Sequence, residues 1–134
     1  IGVIGLAGGK FVDDRSWSEI YHAKLESIGE DLGGKVFRAD PQTNRQGNAS
    51  WREYCRQPAI FRELGELQVP CVFINAAEDI RPNWPTQQLA ELIPKARYRE
   101  IAGATHTIWL IHAEELQAEL RDAITAIGAD STPD

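Results

Sequence analysis

The sequence has few cysteines, no excess of basic residues and no long apolar run. Its two cysteines, Cys55 and Cys71, lie far apart and lack the spacing of a zinc site, so neither a disulfide framework nor a metal site is predicted. Acidic residues outnumber basic ones by 20 to 14, and the net charge is −6. Phosphate binding needs clustered Lys and Arg, so this balance argues against a nucleic-acid partner.

Membrane and export signals are also missing. No apolar run reaches the roughly 18 residues that a membrane span needs. The N-terminal apolar stretch has neither a basic region before it nor a small-residue cleavage site, so it reads as a strand. We therefore expect a cytoplasmic protein without membrane contact. The chain enters this strand directly at Ile1, without a methionine, and from this we expect that upstream residues have been removed.

The length of 134 residues and the 43% content of hydrophobic residues suit one domain that buries a core. The patterns predict a core strand within residues 1–10, a helical insertion over 11–68, core strands and helices over 69–128, and a tail over 129–134. Two right-handed crossovers would place three parallel strands side by side with helices covering them. The predicted fold class is therefore α/β.

Two segments of the first half carry specific expectations. The run from Gly5 to Gly9 has two interpretations: a nucleophile elbow with Ala7 in place of serine, or a strand end whose glycines let the chain turn. We favour the second because an elbow leads directly into a helix, and no helix is predicted directly after Gly9. Residues 36–48 show no sustained period and predict an irregular connection. A helix is expected from Ala49 to the region of Pro58.

Asp79 and His106 form the leading candidate site. A buried strand over Cys71–Ile74 leads to Asp79, and a second strand over Arg97–Ile101 leads to His106. Because the carboxyl ends of parallel strands share one edge, where ligands gather in α/β proteins, we expect the two side chains to meet there. The alternatives are that Asp79 caps the following helix and that His106 is a surface histidine in a turn.

These residues and their contexts resemble the C-terminal half of α/β-hydrolases, closest to proline iminopeptidase-like members. The resemblance rests on Val69-Pro70, Glu78-Asp79-Ile80-Arg81-Pro82, Trp84-Pro85, Leu92-Ile93-Pro94, Gly103-Ala104-Thr105-His106 with Trp109, and Asp14-Arg15-Ser16-Trp17 with Tyr21-His22. It implies three parallel strands with covering helices and a helical cap insertion over 11–68. It also implies that Asp79 is the orienting acid of a catalytic triad and His106 its general base.

The serine of such a triad is missing. A serine hydroxyl becomes a nucleophile when an imidazole takes its proton, and a carboxylate fixes the tautomer of that imidazole. Gly-x-Ser-x-Gly does not occur, and none of the five serines has elbow glycines around it. We expect the chain to be the acid-and-histidine part of a serine hydrolase that cleaves amides or esters, with an aminopeptidase among the candidate activities. We expect this part to be inactive alone. The alternative is a catalytically inactive α/β module or degenerate relative with a binding or interaction role.

The remaining expectations concern ligands and partners. Arg81 either pairs with a carboxylate near the site or is solvated. The resemblance implies that acids of the cap, Glu19 or Glu53, hold the free amino terminus of a substrate, and the commoner alternative is that they are exposed helix carboxylates. We expect no cofactor and no metal. We expect a small-molecule or peptide substrate, and an exposed sheet edge that pairs with a second copy or with a missing N-terminal half. The predicted substrate-binding residues are Trp17, Tyr21, Trp51, Glu53 and Trp109, although such aromatic residues are also typical of a helical core.

Overall fold

A three-stranded parallel sheet forms the centre of the molecule. The computed structural model describes residues 1–8, 15–24 and 40–130. The strands are β1 (Val3–Leu6), β2 (Cys71–Ala76) and β3 (Ala96–Ile101), and they lie in that order across the sheet. Cys71 of β2 pairs with Val3 on one side and with Ala96 on the other. The predicted arrangement of three parallel strands is therefore confirmed.

Helices separate and cover these strands. In chain order they are α1 (Arg15–Ala23), α2 (Pro41–Cys55), α3 (Ile60–Gly65), α4 (Trp84–Leu92), α5 (Ile108–Ile111) and α6 (Ala113–Asp130). The short helix α5 has no counterpart among the sequence predictions. Over the described ranges, no helix is both long and apolar enough to cross a membrane.

The core lies between one face of the sheet and α6. Val72, Ile74 and Ala76 alternate along β2 and point to this face, where they pack with Leu116 and Ala123 of α6. Ile74 and Ala123 have no exposed surface. Complete burial of a side chain such as Ile74 contributes roughly 1.5–3 kcal/mol to folding. This packing holds the carboxyl ends of β2 and β3 in fixed positions.

The strand β1 is less buried than its apolar sequence predicts. A continuous apolar run such as residues 1–6 is typical of a strand that is buried on both faces, whereas β1 begins at Val3, and Val3 and Leu6 are 48% and 41% exposed. The reason is its position, because among the described residues no strand pairs with its outer side. Gly5 is required within it, since a Cβ there would lie 2.8 Å from Cδ1 of Phe73.

The prediction of an irregular connection over 36–48 is wrong from residue 41 onward. The helix α2 begins at Pro41, eight residues before the predicted start at Ala49. Asp40 caps it, with Oδ2 accepting hydrogen bonds from the backbone N–H of Thr43 at 2.8 Å and from its hydroxyl at 2.6 Å. Proline is favoured at the first helical position because its missing N–H costs nothing there. Residues 36–39 lie outside the described residues.

The C-terminal helix is longer than predicted. Gly128 was expected to end it, but α6 continues through Gly128 to Asp130. The last part of the predicted tail, residues 131–134, lies outside the described residues, as do 9–14 and 25–39 of the predicted insertion. The division of the chain at residues 10, 68 and 128 stays a prediction.

Candidate active site

The two loops that carry Asp79 and His106 are joined by backbone hydrogen bonds. Beyond the end of β2, the N–H of Ala77 donates to the carbonyl of Ile101 at 3.1 Å, and the N–H of Glu78 donates to that of Ala104 at 2.9 Å. Gly103 turns the second loop with a φ of 69°, a left-handed conformation that glycine adopts without steric cost. The two loops therefore leave the sheet side by side.

Asp79 and His106 meet at this edge of the sheet. Nδ1 of His106 lies 2.8 Å from Oδ2 of Asp79. An ionised carboxylate can only accept a hydrogen bond, so Nδ1 carries the proton and Nε2 of the neutral ring keeps its lone pair. The side chain of Asp79 is 1% exposed, whereas that of His106 is 18% exposed. The acid is thus shielded from water, and the imidazole retains access to the surface.

The second oxygen of Asp79 is also held. Oδ1 accepts the backbone N–H of Arg81 at 2.8 Å, and Nη1 of Arg81 lies 3.7 Å from the same oxygen. Each carboxylate oxygen therefore has its own partner, which fixes the plane of the carboxylate against the imidazole. Asp79 does not cap α4, which was the alternative role. That helix begins at Trp84 and has no capping side-chain hydrogen bond.

Three of the predicted substrate-binding residues lie around this pair. The ring of Trp109 meets that of His106 edge-on, with centroids 5.7 Å apart. At the loop that carries Asp79, Nε1 of Trp17 donates to the carbonyl of Pro82 at 3.1 Å, and the ring of Tyr21 faces the guanidinium of Arg81 at 5.1 Å. The helix α1 is thereby attached to the loop that carries Asp79.

The other two predicted binding residues lie on α2. Trp51 and Glu53 are exposed, and α2 contains no buried residue. The ring of Trp51 lies 5.9 Å from that of Tyr54, its neighbour on the same helix. The structure does not gather Trp51 and Glu53 with Asp79 and His106, and their role in substrate binding stays a prediction.

A chain of polar side chains that starts at the buried Asn75 was missed by the sequence analysis. Asn75 is 1% exposed; its Oδ1 accepts the N–H of Gly8 at 3.0 Å, and its Nδ2 donates to Oδ1 of Asn83 at 2.9 Å. Nδ2 of Asn83 donates to the carbonyl of Ala76 at 2.9 Å and to Oε1 of Glu100 at 3.1 Å. Asn83 therefore closes the base of the loop. The signal was Asn75 itself, a polar residue within an apolar strand, because buried amides need partners.

Neither cysteine offers an alternative nucleophile. Cys71 is buried and Cys55 is half-buried, and both are free. Burial raises the pKa of both thiols, which keeps them protonated and unreactive near neutral pH. Over residues 1–8, 15–24 and 40–130, no three His, Cys, Asp or Glu side chains are grouped so that they could hold a metal ion.

Comparison by sequence finds little. No protein-family model matches the chain. A curated protein, Leashin of Aspergillus fumigatus, is 31% identical over 75 residues, which cover 56% of this chain and 1% of Leashin. The chain thus corresponds to a very short stretch of that protein.

Comparison by structure identifies the fold. A thermophilic esterase from Thermogutta terrifontis aligns with 94% of this chain at a TM-score of 0.55 and 15% identity. MGS-M2, an α/β-hydrolase enzyme from a deep-sea metagenome, aligns with 92% at 0.56 and 12% identity. The chain has the fold of the C-terminal part of an α/β-hydrolase. A bromoperoxidase from Bacillus anthracis also aligns, with 93% of this chain at 0.52 and 15% identity. The chain spans 56–58% of these three proteins.

Proposed function

We propose that Asp79 and His106 are the acid and the general base of a serine-hydrolase triad whose nucleophile and oxyanion hole come from a segment outside these 134 residues. The observation that carries the proposal is the 2.8 Å hydrogen bond between Nδ1 of His106 and the buried carboxylate of Asp79. The pair lies at the carboxyl edge of a parallel sheet, where active sites of α/β proteins form.

The proposed roles follow from the protons. Nδ1 holds its proton towards Asp79, so Nε2 is free to take the proton of a serine hydroxyl as the serine oxygen attacks the carbonyl carbon of an ester or amide. The resulting imidazolium then gives this proton to the leaving alcohol or amine as the bond to the leaving group breaks. Water replaces the leaving group, passes a proton to Nε2, and hydrolyses the acyl-enzyme by the same steps in reverse.

Asp79 acts through His106 by position and charge. Its carboxylate holds the imidazole in the tautomer that exposes Nε2 and stabilises the imidazolium that forms during the reaction. Because the side chain of Asp79 is 1% exposed, water screens this attraction less than it would at the surface. The hydrogen bond from Arg81 N–H to Oδ1 keeps the carboxylate from rotating away.

The finer assignment concerns the substrate. We propose that the substrate is a small amide, ester or peptide and that the chain comes from a proline iminopeptidase-like protein. The attachment of α1 to the Asp79 loop through Trp17 and Tyr21 supports a substrate site beneath this helix. Recognition of a free amino terminus by Glu53 and a cytoplasmic location both stay predictions.

The test is fluorophosphonate labelling of the complete gene product that contains these residues. We expect labelling of a serine that is lost on His106→Ala and retained on His112→Ala, a matched change at another partly buried histidine. The isolated chain of 134 residues is expected to show neither labelling nor turnover. A complete product that is folded and unlabelled would favour an inactive α/β module, and turnover by the isolated chain would refute the division of the triad.

A further inference from the structure

Arg81 has a partly buried side chain, and one nitrogen of its guanidinium has no hydrogen-bond partner among the described residues. Its side chain is 21% exposed, and its Nη1 is buried without a hydrogen-bond partner. A guanidinium carries five N–H donors and no acceptor, and buried donors of a charged group are normally paired. This group lies two residues beyond Asp79, directly beside the candidate catalytic pair.

The contacts that Arg81 does make leave its donors available. The face of the Tyr21 ring attracts its positive charge at 5.1 Å, but a ring face offers no directed acceptor. Oδ1 of Asp79 lies 3.7 Å from Nη1, which is beyond hydrogen-bond distance, and this oxygen already accepts the backbone N–H of Arg81 at 2.8 Å. The charge of Arg81 is therefore partly balanced, while Nη1 has no hydrogen-bond acceptor among the described residues.

From this geometry we infer that Arg81 binds a carboxylate group of the substrate. This inference rests on the proposed function and specifies its substrate class: a small ester or amide that carries a free carboxylate apart from the bond that is hydrolysed. A carboxylate accepts two parallel N–H bonds from a guanidinium, which gives both strength and orientation. Tyr21 holds the guanidinium from one face, so that such a substrate would be oriented between α1 and the His106 side of the loop.

Binding to the chain of 134 residues tests this without any need for a nucleophile. The probes are monomethyl glutarate, which has one ester and one carboxylate, and dimethyl glutarate, its neutral counterpart of similar shape. Binding is followed by NMR through the indole N–H of Trp17 and the backbone amides of residues 79–81. We expect the half-ester to bind about tenfold more tightly, as one charge-assisted interaction provides.

Substitutions then assign the preference. Arg81→Met is expected to reduce the ratio of the two dissociation constants to about one, and Arg81→Lys, which keeps the charge but loses the planar fork, to an intermediate value. Arg62→Met removes the same charge from an exposed position on α3 and should leave the ratio unchanged. If Arg81→Met does not fold, the inference is tested by two other results: the ratio of dissociation constants in the unsubstituted chain and the decrease of this ratio in Arg81→Lys.

The inference is overturned if the two probes bind equally to the unsubstituted chain, if the half-ester does not bind at the highest concentration that dissolves, or if the ratio survives in the Arg81 variants. Arg81 is then only a counter-ion for Asp79. The two proposals can fail separately. If the chain prefers the half-ester but the complete gene product is not labelled by a fluorophosphonate, the proposed function is contradicted and the carboxylate site is retained. If the product is labelled but the chain binds both probes equally, the proposed function is retained and the carboxylate site is contradicted.

Discussion

At the scale of single residues, the orientation of His106 depends on one carboxylate that is held at both oxygens. Oδ2 of Asp79 accepts from His106 and Oδ1 accepts from the N–H of Arg81, both at 2.8 Å. A carboxamide in the same place would present one acceptor and one donor. The N–H of Arg81 needs an acceptor, so the NH₂ group of an asparagine would be turned towards His106 and would favour the wrong tautomer.

We therefore predict that Asp79→Asn removes the proton from Nδ1 of His106. In the unsubstituted chain, this proton should give a resonance far downfield of the amide region, as hydrogen bonds from imidazole to a carboxylate do. The resonance should disappear in Asp79→Asn and persist in the control variant His112→Gln. In the unsubstituted chain, Nδ1 of His112 lies 3.7 Å from Oε1 of Glu115, which is beyond hydrogen-bond distance. A downfield resonance that is unaffected in Asp79→Asn would contradict the assigned tautomer.

Tyr98 links stability to alkaline pH. Burial, the hydrogen bond that its hydroxyl donates to Glu100, and the charge of Glu100 together raise the pKa of Tyr98 well above its ordinary value of 10.0. The unfolded chain therefore releases this proton at a lower pH than the folded chain does. The contribution to stability is fully present below about pH 10 and is lost as the pH rises from there.

We predict that the urea midpoint of unfolding falls between about pH 8 and about pH 11, and that it falls less in Tyr98→Phe. Tyr98→Phe should also be the less stable variant at the lower pH, because Glu100 loses one of its donors. Tyr54→Phe, at an exposed position of α2, serves as the control and should retain the dependence of the original chain. Equal pH dependence in Tyr98→Phe and the original chain would exclude Tyr98 as the cause.

At the scale of elements, α2 depends on its cap more than on packing. It has no buried residue, so its stability comes from its own backbone hydrogen bonds and from Asp40. The hydrogen bonds from the Thr43 side chain and backbone lower the pKa of Asp40 below its ordinary value of 3.8. The folded helix thus favours the ionised form, and the support from Asp40 is present above about pH 4 and lost as the pH falls.

We predict that Asp40→Ala frays the first turn of α2 without unfolding the sheet. Amide hydrogen exchange of residues 43–46 should become faster, while that of β2 stays unchanged because no core residue is affected. Asp40→Asn keeps a capping oxygen and should preserve slow exchange at neutral pH. If exchange in β2 accelerates together with that of α2, the helix would be part of the cooperative core, contrary to its exposure.

The elements differ in how far the sequence predicts them. The strand β2 was predictable because its continuous apolar run is a local signal, and the pairing of Asp79 with His106 was predictable because each residue follows the end of a predicted strand. The start of α2 was not, because its residues have no apolar period and the helix depends on the Asp40 cap. The chain from Asn75 through Asn83 to Glu100 joins residues far apart in sequence, and no local pattern predicts such pairs.

At the scale of the whole molecule, helices cover the sheet, whereas the outer edge of β1 is unpaired among the described residues. The N–H of Val3 donates to the carbonyl of Pro70, and that of Ala7 to the carbonyl of Ile74. Because successive N–H groups of a strand point to opposite sides, those of Ile4 and Leu6 point away from β2. Over the described residues no strand accepts them, and Val3 and Leu6 expose apolar surface beside them. An unpaired edge of this kind is a template for a further strand.

We therefore predict that the chain associates through β1, with a second copy when no other strand is supplied. Light scattering should show a mass that rises with concentration. Leu6→Pro removes an outward N–H without breaking a hydrogen bond to β2, so this variant should be monomeric. The control Leu6→Ala keeps the N–H and should associate more than Leu6→Pro does. A chain that stays monomeric at every concentration would show that β1 is protected from pairing. A Leu6→Pro chain that associates like the original would place the interface on another surface.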